Sequence, residues 1–201
     1  MDIVPTKDTD QHLTADTIVA RLSYIFEHSG TQEYLGEPVT MAQHMLQAAS
    51  LAKHQGLSDA VIAAALLHDI GHFTNDFGTF SMTDTHDLKH ETYGSQVLNP
   101  WFPEIVTQCV RYHVAAKRYL CATRPTYFSK LSAASVYSLN LQGGPMNPDE
   151  AAKFAENPYL EEIIQVRLVD DAGKVADMKT YAFAYFKPLL QILVNQHCRD
   201  H

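Results

Sequence analysis

The segment from Ser58 to Asp69, SDAVIAAALLHD, constrains the fold more than any other part of the chain. Its apolar residues fall on every face of a helix instead of along one stripe, so the helix must be enclosed by protein on all sides. It therefore has to be wrapped by other elements of the same core. His68 and Asp69 stand at its end, just before Gly71. An ionised carboxylate at a buried helix end is costly unless something positive meets it. Two readings of the doublet are open. In the first it is a helix terminus, with the imidazole at the negative end of the helix dipole and the aspartate bonded to loop amides. In the second, both residues are metal ligands. Imidazole with carboxylate suits zinc, iron, manganese or nickel, and one carboxylate can bridge two ions.

The rest of the chain reads as helices that surround this one. Ile18, Leu22, Ile25 and Phe26 recur at helical spacing between Thr14 and Ser29, with Gly30 as the stop. Thr40 followed by Gln43 is a capping-box pattern that predicts a second helix from about Met41 to Gln55. A polar loop containing Asn75, Asp76 and Gly78 leads to a segment from about Thr85 to Leu98, where His86, Lys89, His90, Tyr93 and Val97 have helical spacing. Pro103 opens a helix that carries Ile105, Val106, Cys109 and Val110 to one side, as far as His113. Further helices are expected at about 127–141, 148–156, 158–169 and 181–197, and Asn147-Pro148-Asp149-Glu150 is a strong helix start. No alternating apolar and polar run predicts a strand, so the expected class is all-α. With no repeat and no low-complexity tract, residues 1–201 are expected to form one domain, with an ordered core over about 14–197 behind a short N-terminal extension.

Charge narrows the function. A formal net charge of −8 and a sequence pI near 5.7 leave no broad basic face for nucleic acid or an anionic membrane, though a few local cations could still hold a small anion. Cys109, Cys121 and Cys198 form no CxxC pair and are odd in number, which argues against a disulfide framework or a zinc ribbon. MDIVPTKDTDQHL lacks the basic start and apolar run of a signal peptide, and no later stretch is apolar for long enough to span a bilayer. A cytoplasmic protein is expected.

Other histidines weigh on the two readings of the doublet. His44 shares a stripe with Met41, Ala48 and Leu51, so it faces the core. His90 and His113 fall near the inner faces or ends of their helices, and Asp170 closes the run EEIIQVRLVD. Four histidines and two aspartates converging from five segments are hard to satisfy with ordinary hydrogen bonds, whereas two metal ions accommodate them. The metal reading is the stronger.

His44, the doublet His68-Asp69 and the late Asp170 resemble the H…HD…D signature of the HD-domain superfamily, and His90 with His113 resembles its dinuclear members. The resemblance tightens over YLGE (34–37), HDIGH (68–72), KHE (89–91), HVAAKRYL (113–120), SAAS (132–135), LQGGPM (141–146) and VRLVD (166–170). Together these strings are similar to the mixed-valent diiron oxygenases that cleave the carbon–phosphorus bond of 1-hydroxy-2-aminoethylphosphonate or its trimethylammonium analogue. The likeness runs from about Tyr34 to Asp177.

The resemblance implies a single HD-domain bundle holding two iron ions, Fe(II) and Fe(III), with O2 as cosubstrate and glycine betaine or glycine plus phosphate as products. It makes His44, His68 and Asp170 ligands of one iron, His90 and His113 of the other, and Asp69 the bridge. Tyr34 is implied to ligate the first iron until substrate arrives, and Glu37 to engage the cationic end of the substrate. His72, Lys117, Ser135, Ser138 and Arg167 are implied to line the phosphonate pocket, Ser138 keeping the hydroxyl of the threonine in the family pattern. Cations and hydroxyls suit a small dianion. On the residues alone, Lys117 and Arg118 read rather as solvated loop cations, the serines as helix caps and Arg167 as half of an ion pair; the resemblance over HVAAKRYL reverses that preference for Lys117. Phe73, Phe77 and Phe80 could offer aromatic faces to a quaternary ammonium, or simply fill core.

Two rivals stand beside this reading. One is an HD phosphohydrolase acting on a small phosphate ester, for which His44, His68, Asp69 and Asp170 would suffice; His90, His113, Tyr34 and Glu37 have no evident part in it. The other is a non-catalytic metal-binding or signalling domain, against which the full set of ligand types argues.

Overall fold

A computed structural model of the chain describes residues 13–31, 34, 36–73 and 89–200. Among the described residues the elements are helices, α1 (Ile18–His28), α2 (Met41–His54), α3 (Asp59–Leu67), α4 (His90–Leu98), α5 (Glu104–Thr123), α6 (Ala133–Leu141), α7 (Pro148–Ala155), α8 (Leu160–Ala172) and α9 (Phe183–Asp200), joined in two places by short 3₁₀ turns. The chain is all-α, as its patterning predicts.

α3 is the axis. Ser58 Oγ caps it by accepting from the Val61 amide, and Val61 to Leu67 are wholly buried on every side. α2, α5, α8 and α9 pack around it. α2 starts at the expected capping box, with Thr40 Oγ1 accepting from the Gln43 amide while Gln43 Oε1 accepts from the Thr40 amide. α7 starts at its own box between Asn147 and Glu150. A continuous core runs from Ile18 on α1 to Val194 on α9. No helix among the described residues is long and apolar enough to cross a membrane.

Several boundaries differ from expectation. α1 begins at Ile18 because Thr14 and Thr17 bond to each other in a preceding turn. α5 continues ten residues past His113, to Thr123, since nothing in HVAAKRYL breaks a helix and Ala116 and Leu120 extend its buried face. Lys117 and Arg118 are therefore helical, not loop cations. The expected helix over 127–141 is split into a 3₁₀ turn, Phe128–Lys130, and α6, because Ser132 caps a new helix. α8 begins at Leu160 and carries on to Ala172, which puts Asp170 inside its last turn instead of at its close. α9 runs from Phe183 to Asp200, shifted toward the C-terminus of the expected 181–197. The expected helix from Thr85 is described only from His90, behind Lys89 in the left-handed region at φ 51°. Asn75, Asp76, Phe77, Gly78, Phe80 and His86 lie outside the described residues, as does the N-terminal extension through residue 12.

Candidate metal centre and adjoining pocket

Four helices and one turn deliver the candidate ligands to one place. α2 contributes His44, the end of α3 His68 and Asp69, α4 His90, α5 His113 and α8 Asp170. His44, His68, Asp69, His113 and Asp170 are at most 2% exposed. In three of the four imidazoles, Nδ1–H donates to a main-chain carbonyl: His44 to Gly173 (2.8 Å), His68 to Ala65 (2.9 Å) and His113 to Val110 (2.7 Å). That choice of tautomer leaves Nε2 as a bare lone pair turned inward.

Those lone pairs face one another. His44 Nε2 lies 3.0 Å from His68 Nε2, and His90 Nε2 lies 3.1 Å from His113 Nε2. Asp69 lies between the two pairs. Its Oδ2 is 3.5 Å from His44 and 3.4 Å from His68, while its Oδ1 is 3.2 Å from His90 and 3.4 Å from His113. Asp170 Oδ1 joins the first pair, 3.2 Å from His44 Nε2. Asp69 Oδ2 and Asp170 Oδ1 are buried without any hydrogen-bond partner. Opposed nitrogen lone pairs around unpaired, buried carboxylate oxygens need cations, and the donor set of imidazoles and carboxylates fits two of them. The local electrostatics express the same demand: burial alone would lower the His68 pKa, yet Asp69 and Asp170 push it up to about 9. His113 goes the other way, with burial taking it down to about 4.

His44, His68 and Asp69 form one cluster able to hold a metal, and Asp69, His72 and His90 form another. His72, expected in the phosphonate pocket, thus also borders the second cluster, with Nε2 4.0 Å from Asp69 Oδ1 and its ring stacked on His90 at 4.1 Å. Burial and the neighbouring imidazoles lower its pKa to about 3, so it is neutral there.

A cavity opens beside the cluster, lined by Tyr34, Glu37, His72, Lys117, Ser135, Ser138 and Arg167, all singled out in the sequence. The Tyr34 ring stacks on His44 at 4.2 Å, and burial together with the nearby Asp69 and Asp170 charges holds its hydroxyl well above the usual tyrosine pKa. Glu37 accepts a hydrogen bond from Ser132 Oγ at 2.6 Å. Lys117 is 3% exposed and donates to Ser138 Oγ at 2.6 Å. Arg167 Nη1 pairs with Asp170 Oδ2 at 2.7 Å, and its Nη2 pairs with Asp171, which also accepts from the Tyr127 hydroxyl. Arg167 is therefore an ion-pair residue as well as a pocket residue. Phe73 packs against the core and does not line the cavity.

Sequence reasoning passed over Lys174, Val114, Ala134 and Gln142, which also line the cavity. Lys174 is one helical turn beyond Asp170, a spacing that could have flagged it.

Comparison with known proteins settles the family. The HD-domain family model matches residues 41–175. Of the relatives, a [1-hydroxy-2-(trimethylamino)ethyl]phosphonate dioxygenase (glycine-betaine-forming) from Leisingera caerulea is 56% identical over 185 residues, covering 92% of this chain and 94% of its own. The chain belongs to the HD-domain phosphonate oxygenase family. A second member, a hydroxymethylphosphonate dioxygenase from Gimesia maris, is 43% identical over 162 residues, 79% of this chain and 81% of its own. An uncharacterized protein of Acanthamoeba polyphaga mimivirus is 32% identical over 170 residues, 83% of this chain and 77% of its own. For an HD-domain oxygenase, the paired imidazole clusters around Asp69 are the natural place for metal.

Proposed function

We propose that this chain is a diiron oxygenase that uses O2 to cleave the carbon–phosphorus bond of 1-hydroxy-2-(trimethylammonio)ethylphosphonate, giving glycine betaine and phosphate. The observation that carries this reading is the position of the Asp69 carboxylate, one oxygen toward each imidazole pair, at the wall of a cavity lined by cations and hydroxyls. The stoichiometry closes: the hydroxyphosphonate dianion plus O2 equals a carboxylate, hydrogen phosphate and a proton. Bound at these residues, two irons would supply the one-electron chemistry that O2 requires and the positive charge that acidifies the substrate's hydroxyl.

In this reading His44, His68 and Asp170 hold one iron, His90 and His113 the other, and Asp69 both. Tyr34, stacked on His44, covers the first position until substrate displaces it, and so limits wasteful oxidation. Lys117, Ser135, Ser138, Arg167 and His72 orient the phosphonate. Glu37, held by Ser132, attracts the cationic end. Support for the trimethylammonium headgroup comes from the 56% identity to the glycine-betaine-forming relative and from the cavity lining, where Val114, Ala134 and the Tyr34 ring accompany Glu37. A quaternary ammonium donates no hydrogen bond and prefers such apolar and aromatic surfaces. The same reading takes the chain as one HD domain, since α1 and α9 share one core with α3.

The test is to load the protein with iron without oxygen, add the trimethylammonium, amino or unsubstituted hydroxyphosphonate, then admit O2 and measure phosphate and oxygen uptake. Equimolar phosphate and O2, fastest with the trimethylammonium compound, is expected. Phosphate released without O2 would instead establish a hydrolase.

A further inference from the structure

Ser135 and Ser138 lie one helical turn apart on α6, and each is tied to a different lysine. Lys117 on α5 donates to Ser138 Oγ at 2.6 Å. Lys174, just past the end of α8, donates to Ser135 Oγ at 2.9 Å. The Lys174 side chain is only 10% exposed, and its ammonium lies 3.9 Å from Asp170 Oδ1 and 5.7 Å from the centre of the Tyr34 ring, at the cavity wall. Arg167, the third cation there, is engaged by both Asp170 and Asp171. Lys174, by contrast, has one neutral hydrogen-bond acceptor and a carboxylate oxygen beyond hydrogen-bonding reach. The cavity thus presents two matched ammonium–hydroxyl pairs, on a spacing set by one turn of α6. A single lysine would serve a monoanion as well as a dianion; two converging ammonium groups favour the doubly charged ligand, because the second negative charge meets a second desolvated cation.

We propose that Lys174, paired with Ser135, is a further phosphonate-binding cation of this site, beside Lys117 and Arg167, and sets its selectivity for a dianion over a monoanion of the same shape. The proposal rests on the phosphonate reading of the cavity given above. It makes Lys174 a binding residue equal in standing to Lys117, beside Arg167, whose guanidinium also engages Asp170 and Asp171.

The experiment compares methylphosphonate, doubly ionised, with methanesulfonate, a singly charged analogue of similar shape, binding to the oxygen-free, iron-loaded protein by calorimetry. Wild type is expected to bind the phosphonate more tightly. Lys174→Met should weaken phosphonate binding about 10- to 100-fold, the usual worth of a charged hydrogen bond, and sulfonate binding much less, so that the preference collapses. Lys174→Arg should retain most of the preference. Helical content and iron stoichiometry, measured on each variant, establish that the fold and the metal centre survive. If Lys174→Met keeps the preference while Lys117→Met loses it, the proposal is overturned and the phosphonate reading stands. If neither variant changes phosphonate affinity, the phosphonate reading falls and the proposal with it.

Discussion

At the residue scale, Asp69 concentrates the design. It meets two opposed imidazole pairs through its two oxygens, so removing its carboxylate would take away a donor from both candidate metal positions and leave each pair of lone pairs to repel. Asp69→Ala is expected to drop iron content from about two per chain to near none, measured by elemental analysis; retention of both ions would contradict a bridging role. Lys117 makes a second prediction at this scale. Burial, reinforced by the Arg167 charge, lowers its pKa to about 7. Below that pH the ammonium is present before the ligand arrives; above it, binding a dianion must first recruit a proton. Phosphonate affinity should therefore fall as pH rises from about 7 to 9, by up to about tenfold per unit, and Lys117→Arg, charged throughout, should flatten the profile. Calorimetry across that range checks it. These two residues differ in how far the sequence disclosed them. A carboxylate beside a histidine at the end of an all-apolar helix is suspect from composition alone, whereas a lysine on an amphipathic helix looks solvated until its neighbours are known.

At the element scale, the second imidazole pair depends on how α4 is seated. Gly71, in the turn after α3, packs so closely on α4 that an added Cβ would fall 1.9 Å from the His90 carbonyl oxygen and 2.7 Å from the Gly94 amide nitrogen. Both are backbone atoms, so neither can swing aside. Gly71→Ala should displace α4 and with it His90, halving iron content while His44, His68 and Asp170 still hold one ion; unchanged loading would show that α4 tolerates the shift. Asn147→Ala is the control, since it removes the capping box of α7, a helix that carries none of the candidate ligands. It should cost about 1 kcal/mol of stability in chemical denaturation and leave iron content alone. The α7 cap was plain in the sequence because Asn, Pro and Glu act locally. The Gly71 contact was not, because it joins turn and helix from different stretches of chain.

At the scale of the whole molecule, the candidate metal centre lies where α2, α3, α4, α5 and α8 meet, so ions bound there would act as a bolt through the bundle. Without cations, Asp69 Oδ2 and Asp170 Oδ1 have no hydrogen-bond partner, and folding must bear their desolvation. Chelation is expected to lower the melting temperature, and added iron at about 100 times its dissociation constant should restore about 2.7 kcal/mol. A melting temperature indifferent to metal would mean the bundle does not depend on it. The sequence by itself determined the class and the centre of the fold, because a helix apolar on all faces must be wrapped and because caps are local chemistry. It also marked the candidate ligands, since histidine and aspartate are conspicuous on apolar faces. Tertiary structure decided the rest: that Nδ1 of three histidines is spent on main-chain carbonyls, that Arg167 is engaged by two aspartates, and that Lys174 reaches Ser135 across 39 residues. The physical reason is range. Periodicity and capping act over a few residues, whereas lone-pair direction and charge pairing are fixed only when distant segments are packed against one another.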